Sequence, residues 1–239
     1  MKRHRTILLS ALALVAALTV CAAPARAQQK EDWQSKPYQQ WTMKDVQKVL
    51  ADSPWSRQYV RSAASIGSSS AGVMATKGYI VRLRSALPVR QGLLRLRQLR
   101  EKYDEMSDKK KAEFDEKNKP LIDCPPCEEN YVLSIQPAAD TDKLPEQLYK
   151  ASLDRVKGYV RLVNDRGQTR ELVHFAPAKS GSEVTFFFPR TDDAGAPLVT
   201  PETKRLVLIV DPGALGGDAT INRFEFDVSK MILDGKLIL

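Results

Sequence analysis

The chain is poor in the residues that carry most metal and nucleophilic chemistry: of its 239 residues, two are histidine and three cysteine. His4 falls in an N-terminal leader, so His174 stands alone in the remainder. That excludes HExxH and multi-histidine metal sites, and any triad not built through His174. In its Leu-Val-His-Phe-Ala setting, His174 reads as a partly buried structural histidine. Phosphate-loop chemistry is missing too. The one Ser/Gly-rich loop, at 65–73, has neither GxxxxGK[ST] nor GxSxG, and no good strand precedes it. No cofactor motif and no metal-ligand set is present. Beyond the leader no stretch is apolar enough to span a bilayer.

Acidic residues are absent over a long interval. Between Ser53 and Arg100 there are nine basic residues and no Asp or Glu. Arg82, Arg84, Arg90, Arg95, Arg97 and Arg100 are expected either to form a basic surface for phosphate, lipid headgroups or an acidic polymer, or to be solvated and paired. Arg97 with Glu101 and Arg100 with Asp104 have the i,i+4 spacing for such pairs. Nucleic acid is disfavoured as a partner, because no aromatic residue is interleaved between Ser85 and Arg100.

What is present begins with an export signal. Lys2, Arg3 and Arg5 precede an uncharged Leu/Ala-rich run from Ile7 to Ala23, and Ala25-Arg26-Ala27 offers an A-x-A cleavage site. Residues 1–27 are therefore expected to be a signal peptide cleaved near Ala27, which makes the protein periplasmic or secreted. A retained anchor and lipidation at Cys21 are the minority readings. The formal charge of +8 falls to about +4 without the leader, so the positive charge is local rather than global.

Residues 28–40 are polar and expected to be a flexible segment, with order beginning at Trp41. Thr42 with Asp45 makes a capping box, and Trp41 with Val46 a hydrophobic staple. Ser53-Pro54 is expected to stop that helix and start another, with Trp55, Tyr59 and Ala63 at steps of four. Tyr79, Val81 and Leu83 alternate with Arg82 and Arg84 in the strand manner. After Ser85 the period changes, and Val89, Leu93, Leu96, Leu99, Tyr103 and Met106 form a helical stripe. A second, charged helix is expected from about Asp108 to Asn118.

Cys124-Pro125-Pro126-Cys127 is the one motif with a possible chemistry of its own. It is open to a structural disulfide, free thiols, or metal or redox work. In extended polyproline geometry the two Cα atoms would stand about 9 Å apart, beyond the roughly 7 Å a bridge allows, so a disulfide requires a bent turn. Strands are expected near 79–84 and 131–136 and a short helix at 144–155.

From Gly158 the period is two almost throughout. Tyr159–Val163 and Thr169–Phe175 flank a hairpin turn, Leu206–Val210 is apolar at every position, and Asp234-Gly235 is a type I′ dipeptide. The expected fold is α+β: a helical N-terminal part (41–155) packed on an antiparallel β-sandwich (156–239).

Several elements together carry a resemblance: W-T-x-x-D-V at Trp41–Val46, S-P-W at Ser53–Trp55, R-S-A-x-P-V-R at Arg84–Arg90, F-F-F-P-R at Phe186–Arg190 and S-K-M-x-x-D-G-K at Ser229–Lys236. On these the chain resembles a group of secreted bacterial proteins of uncharacterised activity. The resemblance implies export and a shared fold, and carries no catalytic residue with it.

The functional expectation is a non-enzymatic exported binding or envelope-associated protein. Its partner would be an anionic envelope polymer, a lipid surface or another protein. The alternative is a secreted carbohydrate-active or other hydrolase using the loop carboxylates Asp192, Asp193, Asp211 and Asp218.

Overall fold

The computed structural model describes residues 31–62, 76–139, 144, 146–211 and 222–239. The expected leader, the Ser/Gly loop and Asp218 lie outside them. Order begins earlier than Trp41. Short 3-10 turns at Asp32–Ser35 and Tyr38–Gln40 precede the first helix, and Trp33 is buried edge-on against Trp41 and Trp55. One apolar ring in a polar stretch was enough to anchor it. The tryptophans are thus core residues.

Helix α1 (Met43–Ala51) starts as its sequence dictates. The Thr42 hydroxyl accepts from the Asp45 amide at 3.3 Å and the Asp45 carboxylate accepts from the Thr42 amide at 2.8 Å. Trp41 and Val46 are both buried, as a staple requires. The expected second helix is not there. The chain instead makes a hairpin, β1 (Asp52–Ser53) to β2 (Ser56–Ser62). A step of four residues is one face of a helix but also two repeats of a strand, so Trp55 and Tyr59 fit either period. Burial decided between them: Trp55 is fully enclosed, and its Nε1 donates to the Ile238 carbonyl at 2.7 Å.

β2 pairs with β3 (Thr76–Leu83), and β3 with β4 (Asn130–Pro137), all antiparallel. Between β3 and β4 the chain forms α2 (Leu87–Arg100), α3 (Asp108–Asp123) and the short α4 (Pro126–Glu129). Helix α2 ends before the expected Tyr103 and Met106, because Lys102 takes a left-handed conformation (φ 54°). Its buried positions are Pro88, Val89, Gly92, Leu94, Arg95 and Gln98, while Leu93, Leu96 and Leu99 are partly covered. The helix therefore buries a different stripe from the leucine one, since α1 and α3 both pack on it. Gly92 permits this: a Cβ there would meet Leu50 and Val49 at 3.0–3.2 Å. Helix α3 outruns its expected end, continuing through Pro120 to Asp123.

Two short helices, α5 (Glu146–Tyr149) and α6 (Leu153–Lys157), replace the single one expected. The strands β5 (Val160–Asn164), β6 (Thr169–Glu171), β7 (His174–Pro177), β8 (Val184–Pro189), β9 (Arg205–Val210) and β10 (Asn222–Asp227) follow. The expected strand Thr169–Phe175 breaks at Leu172–Val173: β6 pairs with β5, whereas β7 crosses to pair with β8. The result is a six-stranded sheet in the order β1-β2-β3-β4-β8-β7 and a four-stranded sheet in the order β10-β9-β5-β6. A final hairpin, β11 (Ile232–Leu233) and β12 (Lys236–Leu237), turns at Asp234-Gly235, both at positive φ.

The two antiparallel sheets face each other across one core. Leu83, Leu133 and Phe186 of the first belong to the same buried cluster as Leu162, Leu208 and Phe226 of the second and Val46, Val49 and Val89 of the helices. The class is α+β, with helices packed on an open antiparallel sandwich. Because strands from both sides of residue 155 build the larger sheet, that position marks no seam, and Asp32–Leu239 is one unit. None of the helices among the described residues is long and apolar enough to cross a membrane.

Two outcomes follow from this packing. Gly92→Val should cost about 1–3 kcal/mol by overpacking the α1–α2 contact, read as a lower urea midpoint at unchanged slope. Burial works to raise the Asp45 carboxyl pKa, but hydrogen bonds from Lys36 and Thr42 outweigh it and hold the group down from 3.8 to about 2. A depressed carboxylate stabilises the fold above its unfolded pKa, and that contribution is lost as pH falls from about 4 to about 2. Asp45→Asn should flatten the pH dependence of the melting temperature in that window; an unchanged profile would show the cap to be silent.

Candidate anion-binding cleft

The chain leaves β3 by a tight corner that sets the first wall of the site. The Ser85 amide donates to the Val132 carbonyl at 3.2 Å and the Ala86 amide to the Leu83 carbonyl at 3.1 Å. Arg84 is thereby held beside β4 at the mouth of α2. On the outer face of the six-stranded sheet, Val132, Thr185 and Phe187 form a largely apolar floor. The end of α3 and the Cys124–Cys127 turn form the opposite wall. These surfaces enclose a cleft of about 450 Å³.

Arg84, Arg90, Arg97 and Lys117 all line this cleft, and none of its lining residues is acidic. Arg84 pairs with Glu183 at 3.4 Å. Arg97 donates to the neutral Asn118 Oδ1 at 2.6 Å, and neither it nor Lys117 has an ion-pair partner among the described residues. Arg90 donates through Nη1 to the Ile122 carbonyl, in the last turn of α3, while its buried Nε has no partner. Burial lowers the Arg90 pKa, nearby Arg190 adds to that, and Asp123 opposes it. Four like charges share one cleft, and of these only Arg84 has an ion-pair partner, Glu183, among the described residues. An anion there would relieve their mutual repulsion.

The other expected arginines are spent elsewhere, so the six do not make one basic surface. Arg82 is buried: its Nε donates to the Leu50 carbonyl at 2.7 Å and Nη1 to Gln136 at 2.5 Å. Burial lowers its pKa to about 10, against Glu183 and with Arg84. Arg95 is buried as well, donating to the Trp41 carbonyl at 3.1 Å and pairing with Asp104 at 3.3 Å. Arg100 is exposed and lies outside the cleft lining. Among the described residues neither anticipated i,i+4 pair forms: α2 stops at Arg100, and Arg95 takes Asp104 instead.

Sequence reasoning missed Lys117, Phe187 and the disulfide turn as members of the site. Lys117 sat in the helix expected only as a charged one, and only the tertiary fold brings it to the same cleft as Arg97.

Cys124 and Cys127 form a disulfide with Cα atoms 5.3 Å apart. The bend that this needs comes from Cys124, left-handed at φ 40°, followed by Pro125 in the right-handed helical region and then α4. Arg190 braces the turn: it donates to the Cys127 carbonyl at 3.0 Å and to the Leu239 carbonyl at 2.9 Å, with its guanidinium 4.8 Å from the Tyr131 ring centre.

His174, expected to be partly buried, is exposed and tilted against Phe187 at 4.9 Å, beside the cleft floor. Of the expected loop carboxylates among the described residues, Asp192 and Asp193 are exposed and Asp211 is half-buried. Asp192 accepts from the Ala194 and Ala196 amides and pairs with Arg170 at 3.7 Å, as a turn-forming aspartate does. No group of three or more potential metal ligands occurs among the described residues.

No protein-family model, curated protein or solved structure matches the chain. The cleft is therefore read from its own chemistry.

The division among the arginines is measurable. Arg82→Ala strands a buried carbonyl and should cost about 2–3 kcal/mol, whereas Arg100→Ala should stay within about 0.5 kcal/mol of wild type. Equal losses in urea denaturation would contradict it.

Proposed function

We propose that this is an exported, non-enzymatic binding protein whose cleft takes an anionic amphiphile: a carboxylate or phosphate head joined to an apolar body. The observation that carries the reading is four cations without a carboxylate among the cleft's lining residues, set around an apolar floor. The head would lie between Arg90 and Arg97, where guanidinium forks match the geometry of oxyanions. The body would cover Val132 and the half-buried Phe187. Export follows from the leader-like composition of residues 1–27. An extracytoplasmic setting also suits a protein with a disulfide in the wall of its site.

Isothermal titration with decanoate, decanol and inorganic phosphate tests the reading, the alcohol lacking the charge and the phosphate lacking the body. Decanoate should bind, and binding should weaken as salt is raised, as screening of the cationic rim requires. The pair Arg90→Glu with Arg97→Glu should weaken it at least about tenfold, and Arg100→Glu should leave it unchanged. Equal binding of decanol, or indifference to charge reversal in the cleft, would sink the proposal. Anionic phosphatidylglycerol vesicles, set against monomeric decanoate, distinguish a membrane headgroup from a free amphiphile as the source of the anion.

A further inference from the structure

The cleft has a wall that thiol chemistry can release. Cys124, Pro125 and Pro126 line it directly. The turn supplies the Cys127 carbonyl to Arg190, and the last turn of α3, which leads directly into it, supplies the Ile122 carbonyl to Arg90. Cys127 is enclosed, with its sulfur 4.0 Å from the Arg84 carbonyl, whereas Cys124 is partly open to solvent. Cys124 also holds a left-handed conformation that a non-glycine residue adopts at a cost. With the covalent tie gone, that conformation is held only by hydrogen bonds, from the Cys124 amide to Pro120, from the Cys127 amide to Cys124 and from Arg190 to Cys127.

We infer that the Cys124–Cys127 disulfide gates this cleft, so that the oxidised chain binds the anionic amphiphile and reduction by a dithiol lowers its affinity. The inference rests on the reading of the cleft as the binding site. In the exchange, a thiolate of the dithiol attacks the accessible Cys124 sulfur, and the Cys127 thiolate leaves and takes up a proton. The second thiol of the donor then attacks the mixed disulfide and releases Cys124 as a thiol. Two electrons and two protons pass to the cysteine pair, and the donor becomes a disulfide.

The structural consequence is local. A ring closed across a sequence separation of three constrains the unfolded chain little, so the fold is expected to survive its opening. The wall, and with it the aim of Arg90 beside it, is what changes. No sequence feature other than CxxC announces this, and here the pair follows a charged helix rather than a buried strand. Its role is thus control of a site rather than oxidoreductase chemistry.

The test uses the full mature chain and decanoate as probe. Titrations compare the air-oxidised protein, the same protein reduced with dithiothreitol, the reduced protein after reoxidation, and a Cys124→Ala, Cys127→Ala double variant. Circular dichroism and thermal melts are recorded on each. Reduction should weaken decanoate binding about tenfold, the change expected when one oriented charge-assisted hydrogen bond is lost. Reoxidation should restore it, and the double variant should bind weakly whether or not reductant is present. Binding by the reduced form within about twofold of the oxidised form overturns the gate and leaves the site intact. Absence of decanoate binding in every form overturns the site itself, and the gate with it. A reduced chain that loses its fold also overturns the gate, because the proposal requires a folded, low-affinity form.

Discussion

The corner at Leu83–Ala86 is the constraint on which the rest of the molecule depends. Its backbone hydrogen bonds reach to Val132 on β4 and, through the Leu83 amide, to the Trp55 carbonyl at 2.8 Å. One short segment thus ties the hairpin before it, the strand beside it and the helix after it. If the corner opened, α2 would lose its direction, and Arg84, Arg90 and Arg97 would no longer point along one side of the sheet. The buried apolar faces supply most of the driving force for folding, but they are non-directional. Directional bonds at the corner choose which packing is adopted.

Arginine serves two purposes in this fold, and the difference is set by what each guanidinium finds within reach. Arg82 and Arg90 both donate to carbonyls in the last turn of a helix, Leu50 of α1 and Ile122 of α3. Those carbonyls lack intrahelical partners and carry the negative end of the helix dipole. Arg82 is fully used in this way and contributes to stability. Arg90 is only half used, since its Nε is left without a partner, and it shares the cleft with Arg97 of its own helix and Lys117 of α3. Stability and binding draw on the same residue type, separated by burial and by geometry rather than by sequence position.

Much of the architecture was legible wherever local chemistry is self-sufficient. The Thr42–Asp45 cap and the Asp234-Gly235 turn depend on neighbours a few residues away, so they read correctly. The segment Ser56–Ser62 misread because its apolar spacing satisfies two periods, and only the burial of Trp55 separates them. The strand β7 misread because alternation continues through Leu172–Val173 while its hydrogen-bond partner changes sheet. Alternation records which face a residue occupies and carries no information about which strand lies alongside.

By itself, the sequence determined the class of fold, the meeting of a strand with an amphipathic helix at Ser85, the local excess of positive charge, and the chance of a bridge between Cys124 and Cys127. These are consequences of side-chain type and short-range spacing. Only the tertiary structure decided that Arg82 and Arg95 are interior residues, that Lys117 joins Arg84, Arg90 and Arg97, and that the Pro-Pro turn bends enough to close the disulfide into the wall of the same cleft. The physical reason is range. A guanidinium is recruited by whichever carbonyl or carboxylate the folded chain brings near it, and those partners lie tens of residues away.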